Sequence, residues 1–324
     1  MSSQVRVRHR LVQAAVGGLI FGAILVYLWH RRGALSQLVE VPANELVLVA
    51  ILFTVGHWLN ALEFWLLYRR LGTPVGVNEN WLLFVAGQIL NHLPGRVGSL
   101  YRLEYLRRMY GVTYARSASV YGTDLVITVL ACSALGLLGS SLAGGLREGR
   151  SLPLLAIFAA LLVGAIVALF VPLPLAGGEG RIARTWGSFR SGWLAITSAP
   201  TVAAEVTGLE GLKYVVAAWR MQITFSWIGI EGKLSFFLVL AAVTGVVGFL
   251  AFTPAAMGLR ELGIGGAAIL LGADLDQSLL GATVERAVLL VLTAVLGGIG
   301  LLFTMRRLSG ARLSADGRLS GPQE

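Results

Sequence analysis

The chain has 324 residues, 56% of them hydrophobic and only 13% charged, and its mean hydropathy is +0.76. A soluble domain carries about 25% charged residues, so the composition excludes a water-soluble enzyme and selects the membrane class, with no soluble domain large enough to do chemistry outside the bilayer. The formal net charge of +9 does not point to nucleic acid, because the arginines cluster at the ends of apolar runs, where they meet lipid headgroups.

In chain order, Arg6, Arg8 and Arg10 precede an apolar run over 11–29. That run approaches the ~20 residues needed to span a bilayer. It ends in Trp29 and Arg31-Arg32 rather than a small-residue cleavage site, which predicts a retained first helix. Gly18 and Gly22 form a GxxxG within it, a candidate close-packing face. Further spans are expected at 46–68, 117–143, 153–171, 209–229 and 279–304. The lone cysteine, Cys132, falls inside the third of these six runs and reads as a small packing residue.

Two apolar segments are interrupted. One runs from Trp81 to Leu93, breaks at Pro94-Gly95 and resumes over 100–110. The other runs from Phe236 to Phe252, breaks at Thr253-Pro254 and resumes over 258–271. Residues 173–200 connect the two regions; the basic–aromatic stretch RIARTWGSFR suits either a short helix in the headgroup layer or an unstructured cytoplasmic linker. The fold expected is an all-α integral membrane protein of six to eight transmembrane helices, one polytopic domain over 1–324.

Placing 1–10, 69–80, 95–116, 173–200 and 305–324 on one side collects 17 of the 26 Lys and Arg residues, against five in the opposite loops. The positive-inside rule makes that side, with both termini, cytoplasmic; Arg31-Arg32 dissents. This holds only if each broken segment enters and leaves on one face as a re-entrant hairpin. Residues 46–143 and 201–304 then form two halves of an inverted repeat. The faint internal match is Pro94–Gly98 against Pro254–Gly258, each followed by Arg and Glu: Arg102 and Glu104, Arg260 and Glu261.

Backbone broken at membrane depth is tolerated only where protein or a water-filled cavity surrounds it. A helix starting just after Pro94 or Pro254 would aim its positive end at such a cavity, which favours an anion such as phosphate. Arg96, Arg102 and Arg260 could add guanidinium donors fitted to phosphate, or could snorkel to headgroups. Charges inside a bilayer cost about 2.5–3.5 kcal/mol each and are usually paired or functional. Here they are Glu63, Asp124, Glu210, Lys213, Arg220, Glu261, Glu285 and Arg286. Glu210 and Lys213 are spaced to satisfy each other, and Arg286 is expected to pair with Asp124 across the halves.

Enzyme signals are poor. His9, His30, His57 and His92 lack metal-ligand spacing, and the chain carries no nucleotide-binding or nucleophile-elbow motif, so neither metal nor cofactor is expected. Asp274 and Asp276 have the Asp-x-Asp form of metal-dependent glycosyltransferases but read better as a cap on the last span.

At these same motifs the sequence resembles the transmembrane region of lysylphosphatidylglycerol synthase, the flippase-like domain. LNHLPGRVGSLYRLEYLRRMYGVTYARSASVYGTDL (90–125) is similar to that family's first motif, and FTPAAMGLRELGI (252–264) to its Pro-Gly-Gly-Leu-Gly-x-Arg-Glu signature. Arg286 falls where the family tends to carry an arginine. Two departures stand out: Ala255-Ala256 replace glycines, and Tyr121 stands where an arginine is expected. No synthase half follows the last span, so aminoacyl transfer is not implied. The resemblance implies a stand-alone translocator of an anionic phospholipid or polyprenyl-phosphate-linked envelope precursor in a bacterial cytoplasmic (inner) membrane. In that reading Arg96, Arg102 and Arg260 hold the lipid phosphate. Pro94, Gly98, Glu104, Asp124, Pro254, Gly258, Glu261 and Arg286 shape or gate the broken elements. Envelope-synthesis proteins or further copies of the chain are the other expected partners. The alternatives are a glycosyltransferase using Glu40, Glu45, Asp274 or Asp276, and an accessory subunit of glycolipid synthesis.

Overall fold

The computed structural model describes residues 41–93, 97–143, 150–170, 180–250 and 256–319, apart from the side chains at 181–182, 249–250 and 310–319. The first apolar run with its GxxxG, Glu40, and Pro94, Arg96 and Pro254 at the two breaks lie outside these residues. Within them the long apolar runs are helical: α1 (Ala43–Arg70), α4 (Tyr114–Leu142), α5 (Leu152–Phe170), α7 (Pro200–Ser226) and α10 (Leu275–Leu319). The interrupted segments give α2 (Val77–Leu90) with α3 (Val97–Tyr110), and α8 (Leu234–Leu250) with α9 (Leu259–Leu270). The connector contains a helix, α6 (Arg181–Thr197), whose Phe189 and Trp193 cover Gly122 of α4.

Local chemistry sets these limits. Thr113 caps α4 by accepting from Arg116 N–H at 3.3 Å, Asp274 caps α10 by accepting from Gln277 N–H at 2.9 Å, and Pro200 occupies the first turn of α7. The Asp-x-Asp pair is therefore a helix start, as its position before the last span predicts.

α1, α4, α5 and the stretch Leu275–Ser309 are long and apolar enough to cross a membrane. Only 17–44% of each apolar window is buried inside the protein. Val163 and Val167 on α5 and Val291, Val295 and Leu302 on α10 instead point outward. A soluble protein rarely leaves such surfaces bare, so these faces belong in lipid. α7 is nine residues longer at its start than the sequence predicts, and more polar. It turns Glu210 and Arg220 inward, so a helix carrying charge still presents apolar residues such as Leu212 to its surroundings.

The described helices interlock by a repeated scheme. α4 packs most extensively on α8, and α10 on α2; α1 lies along α7. α1 and α7 run antiparallel, since Glu45 meets Trp227, Phe53 meets Arg220 and Glu63 meets Lys213. The register also matches between the segments 43–142 and 200–319. Twenty residues into α1 and α7 stand Glu63 and Arg220; ten residues into α4 and α10 stand Asp124 and Glu285. Twenty-five residues into α4 and α10 stand Gly139 and Gly300, and each sits where an added Cβ would strike a backbone oxygen of the helix it crosses. The distances are 2.8 Å to Ser235 O on α8 and 2.6 Å to Leu82 O on α2.

Candidate functional site

The buried charges gather where α1 and α7 cross the other helices, and they sort into two groups. In the first, Glu63 (α1), Asp124 (α4) and Glu210 (α7) bring carboxylate oxygens within 4.8 Å of one another. Lys213 Nζ lies 3.4 Å from Glu63 and ion-pairs Glu210, to which Thr128 donates its hydroxyl. Beside this group Arg102 (α3) is 3% exposed. Its Nη2 donates to Asn80 Oδ1 at 2.7 Å, and Asn80 in turn donates to Ala61 O at 2.7 Å. The guanidinium lies over the Phe64 ring, 3.8 Å from its centroid, with Tyr121 beside it. Tyr121, at a position where the family resemblance leads one to expect arginine, thus flanks an arginine supplied by α3.

In the second group Glu285 (α10) is shared by two guanidiniums: Arg220 Nη2 (α7) at 2.9 Å and Arg260 Nη2 (α9). Next to it Arg286 Nη1 donates to Glu261 Oε1 at 3.0 Å. Glu261 also accepts the Gly258 N–H at 2.7 Å, so the positive end of α9 is filled by the protein's own carboxylate. Gly258 holds φ at +81°, and Ala256 adopts φ +58°. The helix start after the first break is capped similarly, with Ser99 N–H donating to Asn91 Oδ1 at 3.2 Å. His57, on α1, lies in electrostatic range of Lys213 and Arg220 and so stands between the groups; His92, two residues before Pro94, lies in electrostatic range of Arg286.

The expected Arg286–Asp124 pair does not form: Arg286 is bound to Glu261, and Asp124 belongs to the first group. The adjacent Glu285 and Arg286 do face different partners, as neighbours on a helix must. Glu210 and Lys213 pair as their spacing predicts. Glu104 lies apart from both groups at the surface, accepting from Arg107, Arg108 and Tyr114. The Arg107 hydrogen bonds above all, then Tyr114 and Arg108, hold its carboxyl well below the usual range. Gly98 marks the crossing of α2 and α3: an added Cβ would come within 1.8 Å of Gly87 O.

Reading the sequence missed the Glu79 carboxylate of α2, which accepts from Tyr105 and Tyr110 and pairs with Arg307 of α10 at 3.1 Å. The acidic residue opening an apolar helix was the available signal. Of the four carboxylates proposed for glycosyl transfer, two are engaged in structure: Glu45 accepts from Trp227 Nε1 at 2.6 Å, and Asp274 caps α10.

Unlike the individual charges, the frame that carries them can be placed by comparison. The profile of the Lysylphosphatidylglycerol synthase TM region matches residues 14–297. The chain belongs to that family. Among curated proteins none matches significantly. The lysylphosphatidylglycerol synthase TM region match takes in both broken segments and both charge groups. It makes the chain a multi-pass membrane protein built on a lipid-related membrane domain.

Proposed function

We propose that the protein moves an anionic phospholipid or lipid-linked envelope precursor across the bacterial cytoplasmic membrane, its phosphate held by Arg102 and Arg260. The observation that carries this reading is surplus buried positive charge beside both broken segments. Arg102 has no carboxylate partner among the described residues, and Arg220 and Arg260 share one glutamate, Glu285. The Nε of Arg102, Arg220 and Arg260 are buried without an acceptor among the described residues. Guanidinium donors left over in a low-dielectric interior are matched by a phosphate oxygen.

The matched register of 43–142 and 200–319, with α1 antiparallel to α7, supports an inverted repeat. The broken segments are then re-entrant hairpins that enter from opposite faces, with both termini cytoplasmic. Alternating exposure follows from rocking one half against the other around the α1–α7 contact. Without a nucleotide motif, the drive comes from a gradient, from lipid consumption or from a partner.

The test is reconstitution in vesicles containing a fluorescent anionic phospholipid, with bleaching by external dithionite reporting transbilayer movement. Arg102→Ala and Arg260→Ala should each slow movement at least tenfold, while a zwitterionic lipid moves slowly in every case. Movement of the anionic lipid at wild-type rate in both variants refutes the site.

A further inference from the structure

The first charge group contains more carboxylate than its surroundings can neutralise. Glu63 and Glu210 are 0% exposed and Asp124 7%. The group has one ammonium within contact distance, Lys213, and that ammonium is committed to Glu210 and Glu63. Carboxylate oxygens of Glu63 and Asp124 lie within 4.8 Å of one another. Yet Glu63 Oε1 and Asp124 Oδ1, both buried, receive no N–H or O–H donor among the described residues. Two carboxylates this close together cannot both stay ionised in a medium of low dielectric.

We propose that Glu63 and Asp124 form a proton-binding site, one carboxyl donating a shared proton to the other at the junction of α1, α4 and α7. A single bound proton removes one of the surplus charges and supplies the missing donor between the two groups. A metal ion suits the site less well, because the Lys213 ammonium already occupies the place where a cation would bridge Glu63 and Glu210.

The surroundings fix the charge balance. α7 contributes Glu210, Lys213 and Tyr214; α3 contributes Arg102; α4 contributes Tyr121 and Cys132; α1 contributes Tyr68 and, two turns away, His57. α8 and α5, packed on α4, carry no ionisable side chain, and α6 meets α4 through Phe189, Gly192 and Trp193. The position matching Glu63 in the other half is Arg220, paired with Glu285, the match of Asp124. At equivalent places one half thus holds an arginine against a carboxylate, and the other holds two carboxylates. A proton makes the second arrangement neutral enough to stay buried.

The test uses the purified full chain in phospholipid vesicles and infrared difference spectroscopy, which needs no transport. At neutral pH the wild type should show the carbonyl stretch of a protonated carboxyl, downshifted in deuterium oxide. Glu63→Gln and Asp124→Asn should each abolish it, because removing either partner lets the other ionise. These near-isosteric changes relieve charge, and retained helical circular dichroism identifies folded variants. If neither folds, the band's presence and its loss on alkaline titration decide the matter in wild type alone. A wild type without the band overturns the proposal, as does a band that survives in both variants. Thermal stability that rises with sodium while no band appears would assign the surplus charge to a metal cation instead, also overturning it.

Discussion

At the level of single residues, backbone strain makes the clearest case. Ala256 sits at φ +58°, a region that costs a residue with a Cβ about 1–2 kcal/mol, in the turn that leads to Gly258 and α9. The family resemblance leads one to expect glycine there, and the geometry supplies the reason. Ala256→Gly should raise stability by about 0.5–1 kcal/mol after allowing for glycine's greater freedom when unfolded. Thermal unfolding in detergent would register this as a modest rise in Tm, and an unchanged or lower Tm would contradict it. Glu285 offers a sharper contrast. Glu285→Gln leaves Arg220 and Arg260 facing each other with no counter-charge and should cost about 3–5 kcal/mol. Arg220→Met keeps the Arg260–Glu285 pair and should cost much less. Equal destabilisation by the two would mean the carboxylate is not shared. At the surface, Glu104 titrates below the ordinary carboxylate range. Its contribution is therefore complete above the unfolded value of about 4.3 and is lost only as pH falls through the lower folded value. Glu104→Gln should leave Tm unaltered in strong acid while lowering it slightly at neutral pH.

Among elements, the crossings rather than the helices carry the specificity. Gly98 lies so close to Gly87 O that the backbones of α2 and α3 must separate to admit a methyl group. Gly98→Ala should cost about 3 kcal/mol, the upper end for overpacking, because a backbone cannot rotate away as a side chain does. A tolerated alanine, judged by monodisperse elution and unchanged Tm, would show that α2 and α3 pack differently. The order of these elements was legible in the sequence, because Pro94 and Pro254 interrupt apolar runs that are otherwise long enough to span. Which buried charge meets which was much less so. Spacing found Glu210 with Lys213, since both lie on one helix at a fixed interval. The partners of Asp124 and Arg286 depend on the rotation and tilt of four different helices, which no one-dimensional pattern encodes, so a plausible cross-half pair was replaced by Glu261 and Glu63. Glu79 escaped notice because its partners, Tyr105, Tyr110 and Arg307, lie 26, 31 and 228 positions further along the chain.

For the whole molecule, the decisive question is on which faces the broken segments begin and end. The matched offsets place Glu63 with Arg220, Asp124 with Glu285 and Gly139 with Gly300, and the antiparallel α1–α7 contact relates the two sets by a reversal of direction. In the inverted repeat proposed above, the ends of α2 and α3 lie on one face of the membrane and those of α8 and α9 on the other. Cysteine labelling reads this directly. Cys132 is buried and can be replaced by alanine with little loss of volume, giving a background without thiols. Exposed positions flank each segment: Gly76 and Arg116 the first, Lys233 and Gln277 the second. With a membrane-impermeant thiol reagent on intact cells, Lys233→Cys and Gln277→Cys should both react. Gly76→Cys and Arg116→Cys should both stay silent until the membrane is opened. Reaction of one member of a pair and not the other would mean that its segment crosses completely. The arginines beside the breaks would then lie on the path of ordinary spanning helices, and phosphate-sized charge would have no paired entrances from the two faces.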